Sequence, residues 1–260
     1  MKVFFIGDIF ARSGRSVLTD RLKGLKDLYG WDFCIANAEN AAGGKGINFN
    51  TADEIFNCGV DAITMGNHTW ARKEILNFID SCSKLIRPAN YPKGVPGKSR
   101  MVIEKNGIRL GLVNLLGRTY MDMPCDCPFQ AADRELSVLK QQCQAILIDI
   151  HAEATSEKAA LAHYVDGRAS AVLGTHTHVQ TADERILSGG TAFITDVGMT
   201  GPMDGIIGVD KAQIIQKFIT GLPGHFEPAE GRLMLNAVLI TIDDKTGRAL
   251  EIKRIFEIYR

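Results

Sequence analysis

The sequence predicts an α/β protein built on a mixed sheet or on two packed sheets, and three observations carry that expectation. Short apolar runs of strand length alternate with longer stretches whose apolar residues recur at helical spacing. Several of these runs stop abruptly at Gly, Asp, Asn, Glu or His, as strands do at the C-terminal edge of an open α/β sheet. Finally, Asn106-Gly107 between residues 101–105 and 108–116 is a hairpin signal, because a tight two-residue turn needs positive φ.

Residues 2–6, Lys-Val-Phe-Phe-Ile, read as a buried strand stopped by Gly7-Asp8. A carboxylate there serves equally as a metal ligand, a phosphate-site group or the cap of the next helix. Leu18, Leu22, Leu25 and Leu28 then recur at helical spacing as far as Gly30, which predicts an amphipathic helix packed on the sheet. A second strand over 32–36 runs into Asn37-Ala38-Glu39-Asn40, where two oxygen-bearing side chains sit among small residues. The Gly-rich stretch 41–46 lacks the Gly-Lys-Ser/Thr ending of a P-loop and is either a flap over a site or a plain connector. Thr51-Ala52-Asp53-Glu54 fits a capping box and starts a helix through Ile55 and Phe56 that Gly59 stops. A third strand over 61–65 delivers Gly66-Asn67-His68.

A short helix over 73–79 and an irregular crossing over 87–100, with Pro88, Pro92 and Pro96, lead to the hairpin. Residues 120–129 form an irregular loop suited to the rim of a pocket, and a helix over 131–143 follows. The apolar strand 145–150 ends in His151-Ala152-Glu153, and a helix over 156–165 comes next. The small apolar run 169–173 is a strand leading directly into Gly174-Thr175-His176-Thr177-His178. A second hairpin over 184–187 and 191–195 turns at Gly189-Gly190, and 196–202 is a Gly-rich loop near the site or at a subunit contact. Residues 210–220 form a helix with Ile214, Ile215, Phe218 and Ile219 on its apolar face. A closing hairpin over 233–242 and 249–258 turns on Asp243-Asp244-Lys245-Thr246-Gly247. No repeat, low-complexity tract or linker interrupts residues 1–260, which read as one domain.

Composition narrows the class. Lys+Arg 30 balances Asp+Glu 30, which argues against a scaffold for stable nucleic-acid complexes without excluding small nucleotides. The N-terminal apolar stretch is cut by Gly7-Asp8, too short for a signal-peptide core, and no run approaches the ~20 residues of a membrane span. Cys34, Cys58, Cys82, Cys125, Cys127 and Cys143 are scattered, and Cys125-Asp126-Cys127 lacks the second pair of a structural zinc site. Reduced thiols point to the cytoplasm.

Of the six histidines, His68, His151, His176 and His178 fall at strand ends, while His163 sits in a polar helix and His225 in a Gly/Pro-rich loop. Residues two apart in an extended backbone face the same way, so His176 and His178 can converge on one point. Taken alone, the pair is equally a hydrogen-bonded loop feature. Asp8, Glu39, Asn40 and Asn67 add oxygens, which makes the set large enough for two metal ions sharing one carboxylate. Mixed imidazole and carboxylate donors favour zinc, iron or manganese over magnesium. Neighbouring metals suit in-line displacement at phosphorus through a bridging water, and the His-Glu-x-x-His helix of a one-metal peptidase is absent.

Gly7-Asp8, Gly66-Asn67-His68, a lone His151 and Gly174-Thr175-His176-Thr177-His178 resemble, in order, the signature of the calcineurin-like metallophosphoesterases. Asn37-Ala38-Glu39-Asn40-Ala41-Ala42-Gly43-Gly44 and Asp196-Val197-Gly198-Met199-Thr200-Gly201-Pro202 resemble the YmdB-type bacterial branch. The resemblance implies a four-layer α/β/β/α sandwich with a dimetal site at one edge of the paired sheets, and phosphodiesterase activity on 2′,3′-cyclic nucleotides. It implies a first metal on Asp8, Glu39, Asn40 and His178, and a second on bridging Glu39 with Asn67, His151 and His176. His68 matches the residue that protonates the leaving oxygen or stabilises the phosphoryl group. Iron is the implied metal, with manganese and zinc as alternatives. Two positions depart from the broader superfamily: Phe10 stands where a histidine is expected, and Glu39 replaces the bridging Asp. Asn40 then compensates through its amide oxygen.

Three functions compete on this basis. The first is a dimetal phosphodiesterase acting on small cyclic nucleotides, without a membrane partner and compatible with a homo-oligomer. The second is a phosphomonoesterase or nucleotidase using the same site. The third is a regulatory protein whose metal site senses a ligand and acts through a partner or RNA.

Overall fold

Side-chain alternation along the first strand sets the architecture. The computed structural model describes residues 1–259. β1 (Lys2–Ile6) and the short β2 (Asp8–Ile9) precede α1 (Ala11–Tyr29), β3 (Phe33–Asn37), α2 (Phe49–Asn57) and β4 (Ala62–Thr64). A 3-10 turn at Lys73–Asn77 and an irregular crossing lead to β5 (Arg100–Lys105), β6 (Ile108–Leu116), α3 (Pro128–Leu139), β7 (Ala145–His151), α4 (Thr155–Tyr164) and β8 (Ala171–Thr175). β9 (Arg185–Ile186), β10 (Ala192–Ile194), β11 (Met199–Pro202), α5 (Lys211–Thr220), β12 (Leu233–Ile242) and β13 (Ala249–Tyr259) complete the order.

Val3 and Phe5 of β1 point into a core shared with Leu112 of β6, Leu147 of β7 and Leu173 of β8. Phe4 and Ile6 point the other way, into a core with Leu18 and Leu22 of α1 and Ile55 of α2. A third core packs Ile146 and Ile148 of β7 against Leu136 of α3 and Leu161 of α4. Period-two alternation on strands buried on both faces thus yields four layers: helices, sheet, sheet, helices. One sheet is seven-stranded, with β2-β11-β12-β1-β3-β4 in order and β13 paired to β12. The other is six-stranded, in the order β5-β6-β7-β8-β10-β9. The pairs β1–β3–β4 and β6–β7–β8–β10 are parallel, so their C-terminal ends gather along one edge of the sandwich.

The hairpin forms as its turn chemistry requires: Asn106 (φ 52°) and Gly107 (φ 77°) are both left-handed, and Lys105 pairs with Ile108. α1 ends at Gly30, whose left-handed backbone (φ 64°) returns its amide to the Lys26 carbonyl. Within α1, Leu18, Leu22 and Leu25 are buried, but Leu28 is exposed.

Three local expectations are corrected. α2 starts earlier than the predicted box: Asn48 is the cap and Thr51 its third-residue partner, with the amide of Thr51 donating to Asn48 Oδ1 at 3.0 Å. Residues 199–202 are a strand, not a loop. Met199 and Thr200 pair with Asp8 and Ile9, and a Gly/Pro-rich sequence conceals such long-range pairing. On α5 only Ile214 is buried, while Ile215, Phe218 and Ile219 are exposed.

Candidate metal centre

Every predicted ligand arrives from the C-terminal end of a strand or from the turn beyond it. Asp8 opens β2, Glu39 and Asn40 follow β3, and Asn67 and His68 follow β4. His151 is the last residue of β7, and His176 and His178 follow β8. The acids and amides therefore come from the seven-stranded sheet and three of the histidines from the six-stranded one. Gly66 is what lets them meet, since a Cβ there would collide with the Glu39 carboxylate and the His151 ring.

The second expected set is assembled. Nε2 of His151 lies 3.0 Å from Asn67 Oδ1, 3.2 Å from Glu39 Oε1 and 3.1 Å from His176 Nδ1. Donor atoms of Glu39, His151 and His176 all fall within 4.8 Å of one another. Glu39 also reaches His68, accepting its backbone amide at 2.8 Å and lying 2.9 Å from its Nδ1. Glu39 thus faces both His151 and His68.

The first expected set gathers around His178. Asp8 Oδ1 is 3.9 Å from His178 Nε2, and the Asn40 amide nitrogen is 3.1 Å from that same atom. Nδ1 of His178 is 2.9 Å from the Ile207 carbonyl, and donating to it leaves Nε2 to accept from the Asn40 amide. Asn40 turns its oxygen toward His68 Nδ1, at 2.8 Å, so it meets His178 through nitrogen rather than the expected oxygen. Exchanging the amide ends, an assignment made from hydrogen bonding, gives His178 an oxygen neighbour instead.

These residues fit a cation. Asp8 is fully buried and its Oδ1 has no hydrogen-bond partner among the described residues, a costly state for a carboxylate. Burial pushes the Asp8 carboxyl up, against the charges of His151 and His178. Burial would also raise Glu39, but His151 and His68 hold it well below the usual carboxylate range by charge and hydrogen bond. Burial would depress His151, yet Glu39, then Asp8 and Asp149, raise it to about 9. Without a metal, a proton on His151 supplies the positive charge that the two carboxylates demand. His176 is pushed the other way, to about 3, by burial and then by the His151 charge.

A polar layer lies beneath the ligands. Asp149 is wholly buried and accepts hydrogen bonds from Thr175 Oγ1 at 2.7 Å, Asn37 Nδ2 at 2.9 Å and the Thr64 hydroxyl. Burial raises its carboxyl to about 6 despite these bonds and the His151 charge. Thr175 Oγ1 is 2.8 Å from His151 Nδ1, so Nδ1–H donates there and Nε2 faces the ligands. Sequence reasoning missed this layer. Its one signal was an Asp inside the apolar run Ala-Ile-Leu-Ile-Asp-Ile, which must find partners if the strand is buried.

His176 and His178 do not converge by strand alternation. Both lie past β8 with left-handed backbones, φ 103° and 65°, which non-glycine residues adopt only when held there. The loop turns each ring to different neighbours: His176 to His151, and His178 to Asp8 and Asn40.

Above the ligands opens a cavity of about 670 Å³. Lys45 and Arg72 bring positive charge to it, and Phe10, Ile207 and Phe226 supply apolar wall. The Gly-rich turn is tied down: Arg72 Nη2 donates to the Ala42 carbonyl at 2.9 Å, and the Ala42 amide to Gly46 at 2.9 Å. Gly43, Gly44 and Lys45 form part of the cavity wall. Among the described residues, none of 118–129 lines this cavity. His163 and His225 are exposed and lie outside the site.

A family model described as YmdB-like protein matches residues 4–255. The chain is 52% identical over 255 residues to a Bacillus subtilis (strain 168) protein described as a 2′,3′-cyclic-nucleotide 2′-phosphodiesterase, covering 98% of this chain and 96% of the relative. A Mycoplasma pneumoniae structure described as a novel phosphatase superposes with a TM-score of 0.93 at 35% identity, covering 100% of this chain and 94% of that one. The NAD nucleotidase of Haemophilus influenzae superposes with a TM-score of 0.64 at 12% identity, covering 100% of this chain and 56% of that one, a likeness of fold alone. On these matches the chain belongs to the YmdB-like family.

Proposed function

We propose that this chain is a metal-dependent phosphoric diester hydrolase acting on 2′,3′-cyclic nucleotides, with two metal ions held around Glu39. The observation that carries this function is the buried Asp8 Oδ1 beside His178, with the Glu39, His151 and His176 cluster next to it, beneath a cavity lined by Glu39, His176 and His178. Asp8, Glu39, Asn40 and His178 would hold one ion, and Glu39, Asn67, His151 and His176 the other. Bound there, the ions would supply Lewis acidity toward the phosphoryl group and lower the pKa of a water. Iron is the proposed metal, and manganese and zinc suit the same donors.

The chain's own residues do the rest. Glu39 holds His68 at Nδ1, which leaves Nε2 for the cavity that His68 lines. From there it holds a proton for the ribose oxygen that leaves phosphorus. Lys45 and Arg72 offer charge to the phosphate, and the Phe10, Ile207 and Phe226 wall offers apolar surface to the nucleoside. The balance of 30 basic and 30 acidic residues supports a small substrate over a stable nucleic-acid complex. No described helix is long and apolar enough to cross a membrane, and all six cysteines are free, which supports the cytoplasm as the compartment; the cores that β1 shares with both sheets support one domain over 1–260.

Elemental analysis of the purified chain should find two metals, and one preparation should turn over a 2′,3′-cyclic nucleotide faster than the matching monoester. A preference for the monoester would replace this function with the phosphomonoesterase. An active chain holding one ion or none would remove the dimetal site.

A further inference from the structure

Asp196 follows β10, is almost completely buried, and sends its carboxylate into three segments at once. Oδ2 accepts from the Lys158 ammonium of α4 at 2.7 Å and from the Thr177 amide at 3.0 Å. Oδ1 accepts from the Gly198 amide at 2.8 Å. Thr177 is the residue between His176 and His178, whose backbones are both left-handed. Gly198 in turn accepts the Asp8 amide on its carbonyl at 3.0 Å, and Asp8 Oδ2 accepts the His176 amide at 3.1 Å. The contacts close a ring, Asp196–Thr177–His176–Asp8–Gly198–Asp196, that joins the two sheets at the site.

Lys158 is wholly buried, and its only hydrogen bond among the described residues is to Asp196. Its stem packs where Gly174 leaves room, since a Cβ on Gly174 would come within 2.9 Å of Lys158 Cδ. A buried ion pair is weak evidence for stability, because desolvating both charges offsets their attraction and an apolar pair of equal volume often does better. The hydrogen bonds give the pair a different role. A carboxylate has two acceptor oxygens where an amide has one, so Asp196 holds the Thr177 and Gly198 amides on separate oxygens, with the Lys158 ammonium sharing Oδ2.

We infer that Asp196, balanced by Lys158, is a positioning residue that fixes the separation of Asp8 on one sheet from His176 and His178 on the other, and through it the metal affinity of both positions. This rests on the dimetal function proposed above. The test is a manganese(II) titration of the stripped chain followed by EPR, with melting temperature in chelator measured alongside. Asp196→Asn alone leaves a lone buried ammonium and can fail to fold, so the deciding variant is Lys158→Met with Asp196→Asn, which removes both charges at nearly constant volume. Affinity should fall about 10–100-fold, while the chelated variant melts no lower than chelated wild type. Unchanged affinity in the double variant overturns the inference, as does a loss matched by an equal loss of stability in chelator. If wild type itself binds no manganese, the dimetal function falls, and the inference with it.

Discussion

Oδ1 of Asp8 lies 3.9 Å from Nε2 of His178, beyond hydrogen-bonding distance, and accepts no hydrogen bond from any described residue in a fully buried site. Such an arrangement costs stability unless a cation lies between them. A carboxyl whose folded pKa is raised, as burial raises that of Asp8, binds its proton more tightly when folded, so stability falls as pH rises through that pKa. Above it, the charged Asp8 should weaken the metal-free fold. Asp8→Asn should then melt at or above the wild-type temperature in chelator at pH 8, yet below it once both are loaded with metal. Calorimetry in both states tests the crossover, and a variant less stable in chelator would refute it.

The two histidines of Gly174-Thr175-His176-Thr177-His178 should fail separately. His176 Nδ1 faces the His151 and Asn67 cluster, whereas His178 Nε2 faces Asp8 and Asn40. His176→Asn should empty the position shared with His151 and keep the other, and His178→Asn should do the reverse. Metal content should drop from two ions per chain to one in each, and anomalous difference maps should show which remains. Loss of the same peak in both variants would return the pair to a single site.

Much of this site was legible because the strands announce their own ends. An apolar run is buried, a polar residue after it is at the sheet edge, and parallel strands put those edges together; Asp8, Glu39, Asn67 and His151 follow from that alone. The side chains that hold the ligands were not legible, because they act across the sequence. Asp196 reaches Lys158 and Thr177, and Asp149 reaches Thr64 and Asn37, through contacts that only the sheet order creates. The backbone of His176 and His178 was misjudged for the same reason. A strand pattern does not show that the chain past β8 turns left-handed at His176 and His178, with Thr177 between them bonded to a remote carboxylate. The exposed face of α5 shows the opposite failure, since helical spacing reports an apolar stripe but not whether anything covers it.

His68 should separate metal binding from turnover. It touches Glu39 and Asn40 through Nδ1 but is not part of the His151 cluster. Replacing it with Ala removes the proton at Nε2, and general-acid contributions are typically about 10²–10⁴-fold in rate. His68→Ala should therefore keep two metals while kcat on a cyclic nucleotide falls by about that factor. A substrate whose leaving group needs no proton, such as a nitrophenyl ester, should lose much less. Equal losses on both substrates would make His68 a support for Glu39 rather than a proton donor.

Metal uptake should release a proton, and His151 says which one. In the metal-free chain Glu39, Asp8 and Asp149 raise His151 to about 9, whereas His176 lies at about 3 and is neutral. A metal binds only the neutral imidazole, so below pH 9 each binding event at that position must displace the His151 proton. Apparent affinity there should rise about tenfold per pH unit from pH 7 to 9 and level off above, with no contribution from His176. Calorimetric titration at pH 7.5 in buffers of different ionisation enthalpy should yield close to one proton released from this position. Asp149→Asn removes one of the charges that raises His151, so it should shift the plateau to lower pH and reduce the protons released at pH 7.5. An affinity independent of pH across this range would show that His151 is neutral before the metal arrives.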